Sequence, residues 1–305
     1  MQGVAVEQSR QQCRTRPDLP RSLHMARAPG PCISMGRREF TMRIIAVMNQ
    51  KGGSGKTTTT VNLAAALGEK GRKVLVIDMD PQASASLWFG LQDAGKELLQ
   101  VLTGPGALAD EVRPTGAPFV WMIPCSTWLA SAEKALADIH KPELILRRKL
   151  AQLQAEWDYC LIDCPPMMGV LSISALAAAT EVLVPVEARV LALAGMKQVL
   201  ATIDVVRDTL NPDLKLGGIL ACRVDRRTTH CGDILEQLQA RFPQQMYKTI
   251  IRENIRLAEA PSFAKPITLY DRTSTGAQDH RDLAQEIIRA EVKTPAKTGK
   301  KGKAS

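Results

Sequence analysis

At 305 residues and 45% hydrophobic, the chain has room for one large α/β domain or two small ones and the make-up of an ordinary globule. Its formal charge of +9 sits at the ends: residues 1–43 hold eight arginines against three acids, and residues 293–305 hold five lysines and no acid. The body between is near neutral, which excludes a uniformly basic nucleic-acid-binding domain, and no apolar run approaches the ~18 residues of a membrane span.

Residues 1–42 are rich in Arg, Ser, Pro and Gly and lack apolar periodicity. Three readings stand: a disordered arm, a targeting presequence, or sequence translated upstream of a start at Met42. The last is preferred, because nothing before Met42 has a face to pack. The absence of a roughly 7–15-residue apolar segment argues against a secretory signal.

From 43 to 292, apolar runs alternate with stretches of helical period. Strands are expected at 44–48, 74–79, 119–123, 159–163, 182–186, 217–222 and 247–251. Helices are expected at 57–69, 126–138, 143–155, 170–179, 192–209, 230–241 and 277–292. The alternation predicts a single α/β domain, 43–292, with a mostly parallel twisted sheet covered by helices on both faces. Residues 293–305 are expected to be a disordered basic tail, without the large apolar residues of a membrane-lying helix. Seven cysteines with no CxxC pair read as reduced, buried thiols of a cytosolic protein.

The first strand runs into Asn49-Gln-Lys-Gly-Gly-Ser-Gly-Lys-Thr-Thr58, which opens the first helix. Strand, glycine-rich turn and helix start form a phosphate cradle, in which backbone N–H groups and the helix terminus face an anion. Lys51, Gly52, Gly53, Ser54, Gly55, Lys56, Thr57 and Thr58 are its candidate residues; Lys56 reaches the β- and γ-phosphates of a nucleotide and the Thr57 hydroxyl ligates Mg²⁺. Gln50 stands where the strict P-loop pattern has its first Gly. Lys51 opens the turn instead, and a second lysine asks for a second role.

Two further strands end in acids. The second ends at Asp78-Met-Asp80-Pro81, with both carboxylates on one face and the proline breaking the ladder. Ligands gather at the carboxyl ends of such strands, where acids hold Mg²⁺ through water or orient an attacking water. The fourth ends at Asp163, in the Walker B position, so Thr57, Asp78 and Asp163 are the candidate metal residues.

These boxes, Lys51 to Thr57, Asp78 to Gln82 and Leu161 to Pro166, resemble the deviant Walker A, A′ and B boxes of the ParA/Soj partition ATPases. The resemblance continues through Asp225-Arg-Arg-Thr228, Asn254 to Ser262, Lys265-Pro266 and Leu269-Tyr-Asp271, and covers about residues 43–290. It implies an ATP- and Mg²⁺-dependent ATPase, weak alone, that dimerises on ATP, binds double-stranded DNA without sequence preference and segregates a replicon with a ParB-type centromere-binding protein. It implies that Lys51 crosses to the partner subunit's ATP, that Asp80 positions the hydrolytic water, and that Arg227 and Arg256 contact DNA. Lys51, Lys56 and Asp80 are then the catalytic set, and the protein is cytoplasmic and nucleoid-associated.

The chain departs from the family pattern at Ser54, at Ala83-Ser84 where Gly-Asn is frequent, at Arg252-Glu253, at Arg189 in place of an acid, and at Ala194. A MinD-like membrane-associated positioning ATPase is the alternative, but it needs a C-terminal amphipathic helix. A metal-cluster carrier of the same architecture would need cysteines placed to bridge a dimer.

Overall fold

The computed structural model describes residues 42–91, 95, 97–153, 157–189, 192–225 and 227–292. The expectations for 1–41 and 293–305 fall outside these residues.

Among the described residues seven strands form one sheet: β1 (Arg43–Val47), β2 (Val74–Asp78), β3 (Arg113–Pro114), β4 (Val120–Ile123), β5 (Tyr159–Asp163), β6 (Glu181–Glu187) and β7 (Lys215–Cys222). Their order is β3-β4-β2-β5-β1-β6-β7, and every pairing is parallel except β3 on β4. The α/β expectation is met. β2 and β5 are buried at every residue, as strands covered on both faces must be. Their period of two sends Val74 and Val76 to one face and Leu75 and Ile77 to the other.

On the first face lie α1 (Lys56–Glu69), α2 (Ser84–Trp88), α9 (Ile255–Glu259), α10 (Ile267–Tyr270) and α11 (Thr275–Val292). On the second lie α3 (Glu97–Thr103), α4 (Ala132–Leu136), α5 (Ile145–Leu150), α6 (Val170–Ala178), α7 (Ala192–Thr209) and α8 (Thr229–Arg241). Each buried aliphatic side chain in these two layers contributes roughly 1.5–3 kcal/mol. α1 is buried nearly all round because α11 covers the side turned from the sheet. A Cβ on its Gly68 would sit 2.2 Å from the Pro118 carbonyl oxygen, so only glycine allows that approach.

The far edge corrects one expectation. Residues 247–251 are not a strand; the run is flanked by the isolated bridges Ile219↔Met246 and Val224↔Arg252. Its backbone follows β7, with Tyr247 N donating to Ile219 O at 3.0 Å and Ile251 N to Ala221 O at 2.8 Å. Between them the N–H groups of Lys248 and Thr249 turn to the Glu286 carboxylate at 2.8 and 3.0 Å, which interrupts the ladder. The other edge adds β3, whose Pro114 is tolerated there because an edge residue needs no inward N–H.

Two helices are shorter than expected. The 126–138 segment divides into a 3₁₀ turn, Thr127–Ser131, and α4. The 143–155 segment begins as a 3₁₀ turn at Pro142–Leu144 and continues as α5, with 154–156 outside the described residues.

At the amino end of the sheet, Arg43 ties the start of β1 to the last helix. Its Nε and Nη2 donate to Glu181 at 2.7 and 3.0 Å, and its Nη1 donates to Ile287 O at 3.0 Å. The guanidinium lies over the Tyr159 ring, whose hydroxyl bonds Glu291 of α11.

Candidate nucleotide site

The carboxyl ends of β2, β5 and β1, the middle of the sheet, converge on one cleft of ≈ 1050 Å³. After β1 the chain is pinned by Asn49, whose Nδ2 donates to Pro185 O at 2.7 Å and whose Oδ1 accepts Lys51 N at 3.0 Å. The loop then turns through Gly53 and Gly55 at φ 72° and 94°, a left-handed backbone that favours glycine. A Cβ at Gly52 or Gly53 would meet nothing within 4 Å, so the loop is open on its concave side. α1 starts at Lys56 with neither a side-chain cap nor an acid in its first turn. Its leading N–H groups are left for an anion.

The loop's two lysines point differently. Lys56 is buried and its Nζ donates to Lys51 O at 3.2 Å. Burial lowers its pKa, and Asp163 and Asp80 oppose that shift. Lys51 leaves 45% of its side chain exposed and its Nζ donates to Glu187 Oε2 at 3.2 Å. Ser54 is fully buried with no partner for its hydroxyl among the described residues, and Thr58 is half-buried in the first turn of α1.

Asp78 and Asp163 are register neighbours on β2 and β5. Asp163 accepts from Thr57 Oγ1 at 2.8 Å and Thr60 Oγ1 at 3.0 Å. Asp78 gives both oxygens to its own chain: Ser86 N and Oγ at 2.9 and 2.7 Å, and Asp80 N at 3.1 Å. Burial raises the pKa of both; the Asp80 charge raises that of Asp78 further, and the Asp78 and Asp80 charges raise that of Asp163. Asp80 lines the cleft and accepts Gln82 N at 3.0 Å, which fixes the turn leading into α2.

Asp163 and Thr57 together fit a magnesium ion, since two buried carboxylates beside a single buried lysine leave an excess of negative oxygen. Among the described residues no group of three or more His, Cys, Asp or Glu could hold a metal. Magnesium needs only one or two carboxylates when nucleotide phosphates and water complete its shell.

Arg227 and Arg256 both line this cleft at its rim. Each already has an acid: Arg227 Nε and Nη2 lie 2.9 Å from the Asp225 oxygens, and Arg256 Nη1 lies 3.0 Å from Glu259 Oε2. Three residues here escaped the motif reading. Ser86 anchors α2 on Asp78, Cys222 would stand 3.5 Å from a Cβ on Gly55, and Arg223 lines the cleft in a left-handed backbone, φ 52°.

A P-loop at the end of a central parallel strand, a second lysine in that loop and acids ending β2 and β5 define a P-loop nucleoside triphosphatase of the deviant Walker A class. Residues 42–216 match the AAA_31 family of AAA domains. The chain is 39% identical over 252 residues to the chromosome partitioning protein ParA of Myxococcus xanthus, across 82% of this chain and 89% of that one. It is 41% identical over 247 residues to the sporulation initiation inhibitor protein Soj of Bacillus subtilis, across 80% and 98%. A solved structure of cobyrinic acid a,c-diamide synthase from Mycobacterium smegmatis, with bound ADP and magnesium, superposes with a TM-score of 0.73 at 34% identity, covering 83% and 96%. The chain belongs to the ParA/Soj family of partition ATPases.

Proposed function

We propose that this protein is an ATPase that dimerises on ATP, binds DNA without sequence preference as the dimer, and segregates a chromosome or plasmid with a ParB-type centromere-binding partner. The observation that carries it is the divergence of Lys56 and Lys51. One lysine turns into its own cradle; the other stands half-exposed at the mouth, resting on Glu187, and on this reading leaves it for a nucleotide held by a second subunit.

The loop from Lys51 to Thr58 holds the phosphates, with Lys56 against the β- and γ-phosphates. Thr57 would hold Mg²⁺, with Asp163 holding it through water. Asp78 belongs to the same acidic floor, and its bonds to Ser86 and Asp80 orient the loop that carries Asp80. A magnesium ion held there would supply charge neutralisation at the phosphates. Asp80 orients the attacking water. The arginines that line the cleft, Arg223, Arg227, Arg252 and Arg256, are each paired with an acid within the subunit, so turnover is slow until partner and DNA act.

Arg227 and Arg256 supply phosphate contacts to DNA. Two arginines give a near-neutral monomer little affinity; a dimer doubles them, and affinity rises steeply with the number of phosphates neutralised. The functional body is 43–292, with 1–42 an extension and 293–305 a basic tail. No helix among the described residues is long and apolar enough to cross a membrane, and the reading places the protein in the cytoplasm on the nucleoid.

The test is DNA binding with Mg-ATP, Mg-ADP and no nucleotide, beside an Asp80→Ala protein. Tight, salt-sensitive binding with ATP alone, kept by Asp80→Ala, is expected. Equal binding in all three states would sink the nucleotide switch.

A further inference from the structure

Glu187, the last residue of β6, is buried yet faces three cations. Lys51 Nζ donates to its Oε2 at 3.2 Å, and Arg189 Nε and Arg223 Nη1 lie 2.9 and 3.1 Å from its Oε1. The meeting is built into the backbone. Asn49 grips Pro185 O, two residues before Glu187, with its amide nitrogen and Lys51 N with its amide oxygen. The root of Lys51 is thereby fixed against the end of β6. Arg223 arrives from the end of β7 in a left-handed conformation, the kind of strain that persists where surroundings enforce it.

A buried carboxylate requires a counter-charge, and one is enough. With three, any single cation can leave without stranding the acid. Lys51 cannot serve a phosphate across a dimer while its ammonium rests on Glu187, so the contact and the trans role exclude each other.

We infer that Glu187 is a positioning residue that parks Lys51 in the nucleotide-free subunit. Arg189 and Arg223 take over its charge when Lys51 swings out. Dimerisation is then an exchange of ion partners, and the parked pair sets how much ATP the exchange requires. This rests on Lys51 being the lysine that serves the partner subunit's nucleotide.

The experiment follows dimer formation by sedimentation velocity across a Mg-ATP titration, for the unaltered protein, Glu187→Gln and Arg189→Gln. The same three proteins, free of nucleotide, are treated briefly with acetic anhydride, and Lys51 acetylation is read by mass spectrometry. Glu187→Gln is expected to acetylate faster at Lys51 and to dimerise at lower ATP. The shift is roughly threefold per released lysine, the scale of a half-exposed ion pair, and about tenfold over two subunits. Arg189→Gln moves both readings the other way, because Glu187 then depends more on Lys51. Its side chain is 63% exposed, so this variant keeps the test decisive should Glu187→Gln misfold.

Unchanged acetylation and an unchanged or raised ATP midpoint in Glu187→Gln would overturn the proposal. An unaltered protein that never dimerises with ATP would overturn the exchange together with the trans role of Lys51. The acetylation arm tells the two failures apart, since it reads the parking of Lys51 in the lone subunit.

Discussion

Thr57 Oγ1 donates to Asp163 Oδ2 at 2.8 Å, joining the first turn of α1 to the end of β5. The hydroxyl sits where it can ligate a cation while the carboxylate orients it from behind. Nucleotide affinity measured in Mg²⁺ and in EDTA separates these roles. Asp163→Asn is expected to lower the magnesium-dependent part by roughly 10- to 100-fold, the usual cost of losing a supporting partner. Its affinity in EDTA should be nearly unchanged. Equal losses in both media would mean that Asp163 only holds the fold.

Arg227 is 87% exposed on its side chain and bound to Asp225, whose pKa it holds down to about 2. On the proposed reading, DNA displaces that carboxylate. Asp225→Asn is therefore expected to tighten ATP-dependent DNA binding, whereas Arg227→Ala weakens it. With two copies per dimer, Arg227→Ala should also flatten the plot of log affinity against log salt by about 1.8. An unchanged salt slope would remove Arg227 from the DNA contact.

Ala83 caps α2 at φ 54° and ψ 29°, a left-handed conformation that costs a non-glycine residue about 1–2 kcal/mol. Ala83→Gly should raise the thermal midpoint by about 2–4 °C. Calorimetry showing no rise, or a fall, would mean that the flexibility gained by the unfolded chain outweighs the relief.

His280 on α11 is fully buried, with Nδ1 2.8 Å from Gly276 O and no partner for Nε2 among the described residues. Burial lowers its pKa to about 4 from the ordinary 6.5. The folded state thus refuses a proton that the unfolded chain accepts. Its stabilising contribution is complete above pH ~6.5 and is lost as pH falls toward ~4, roughly 3 kcal/mol across the window. His280→Leu should flatten the dependence of urea-unfolding free energy on pH in that range. An identical slope in both proteins would assign it to other groups.

The middle of the molecule was legible in the residues. Val74 to Asp78 and Tyr159 to Asp163 are unbroken apolar runs ending in an acid, a pattern set by burial on both faces. The glycines of the P-loop encode a backbone that other residues avoid. What escaped is what tertiary partners decide. Residues 247–251 are apolar enough for a strand, but Glu286, some forty residues later, captures two of their N–H groups. Glu187 looks like any strand-end acid until Asn49 brings Lys51 to it. α2 and α9, at five residues each, are too short to show a helical period.

Arg43 and α11 carry a consequence for how the chain is strung through its architecture. The first residue of β1 reaches the last turns of the final helix at Ile287 and Glu291, on the end of the sheet away from the cleft. The path from Arg43 to Val292 is nearly a closed circle. A short linker could join those two points and the chain could be reopened in an exposed turn such as that at Gly116, giving a permuted protein with the same phosphate cradle. Sequence order and nucleotide chemistry are separable here, because the groups that do the work are set by the sheet and not by which strand is made first.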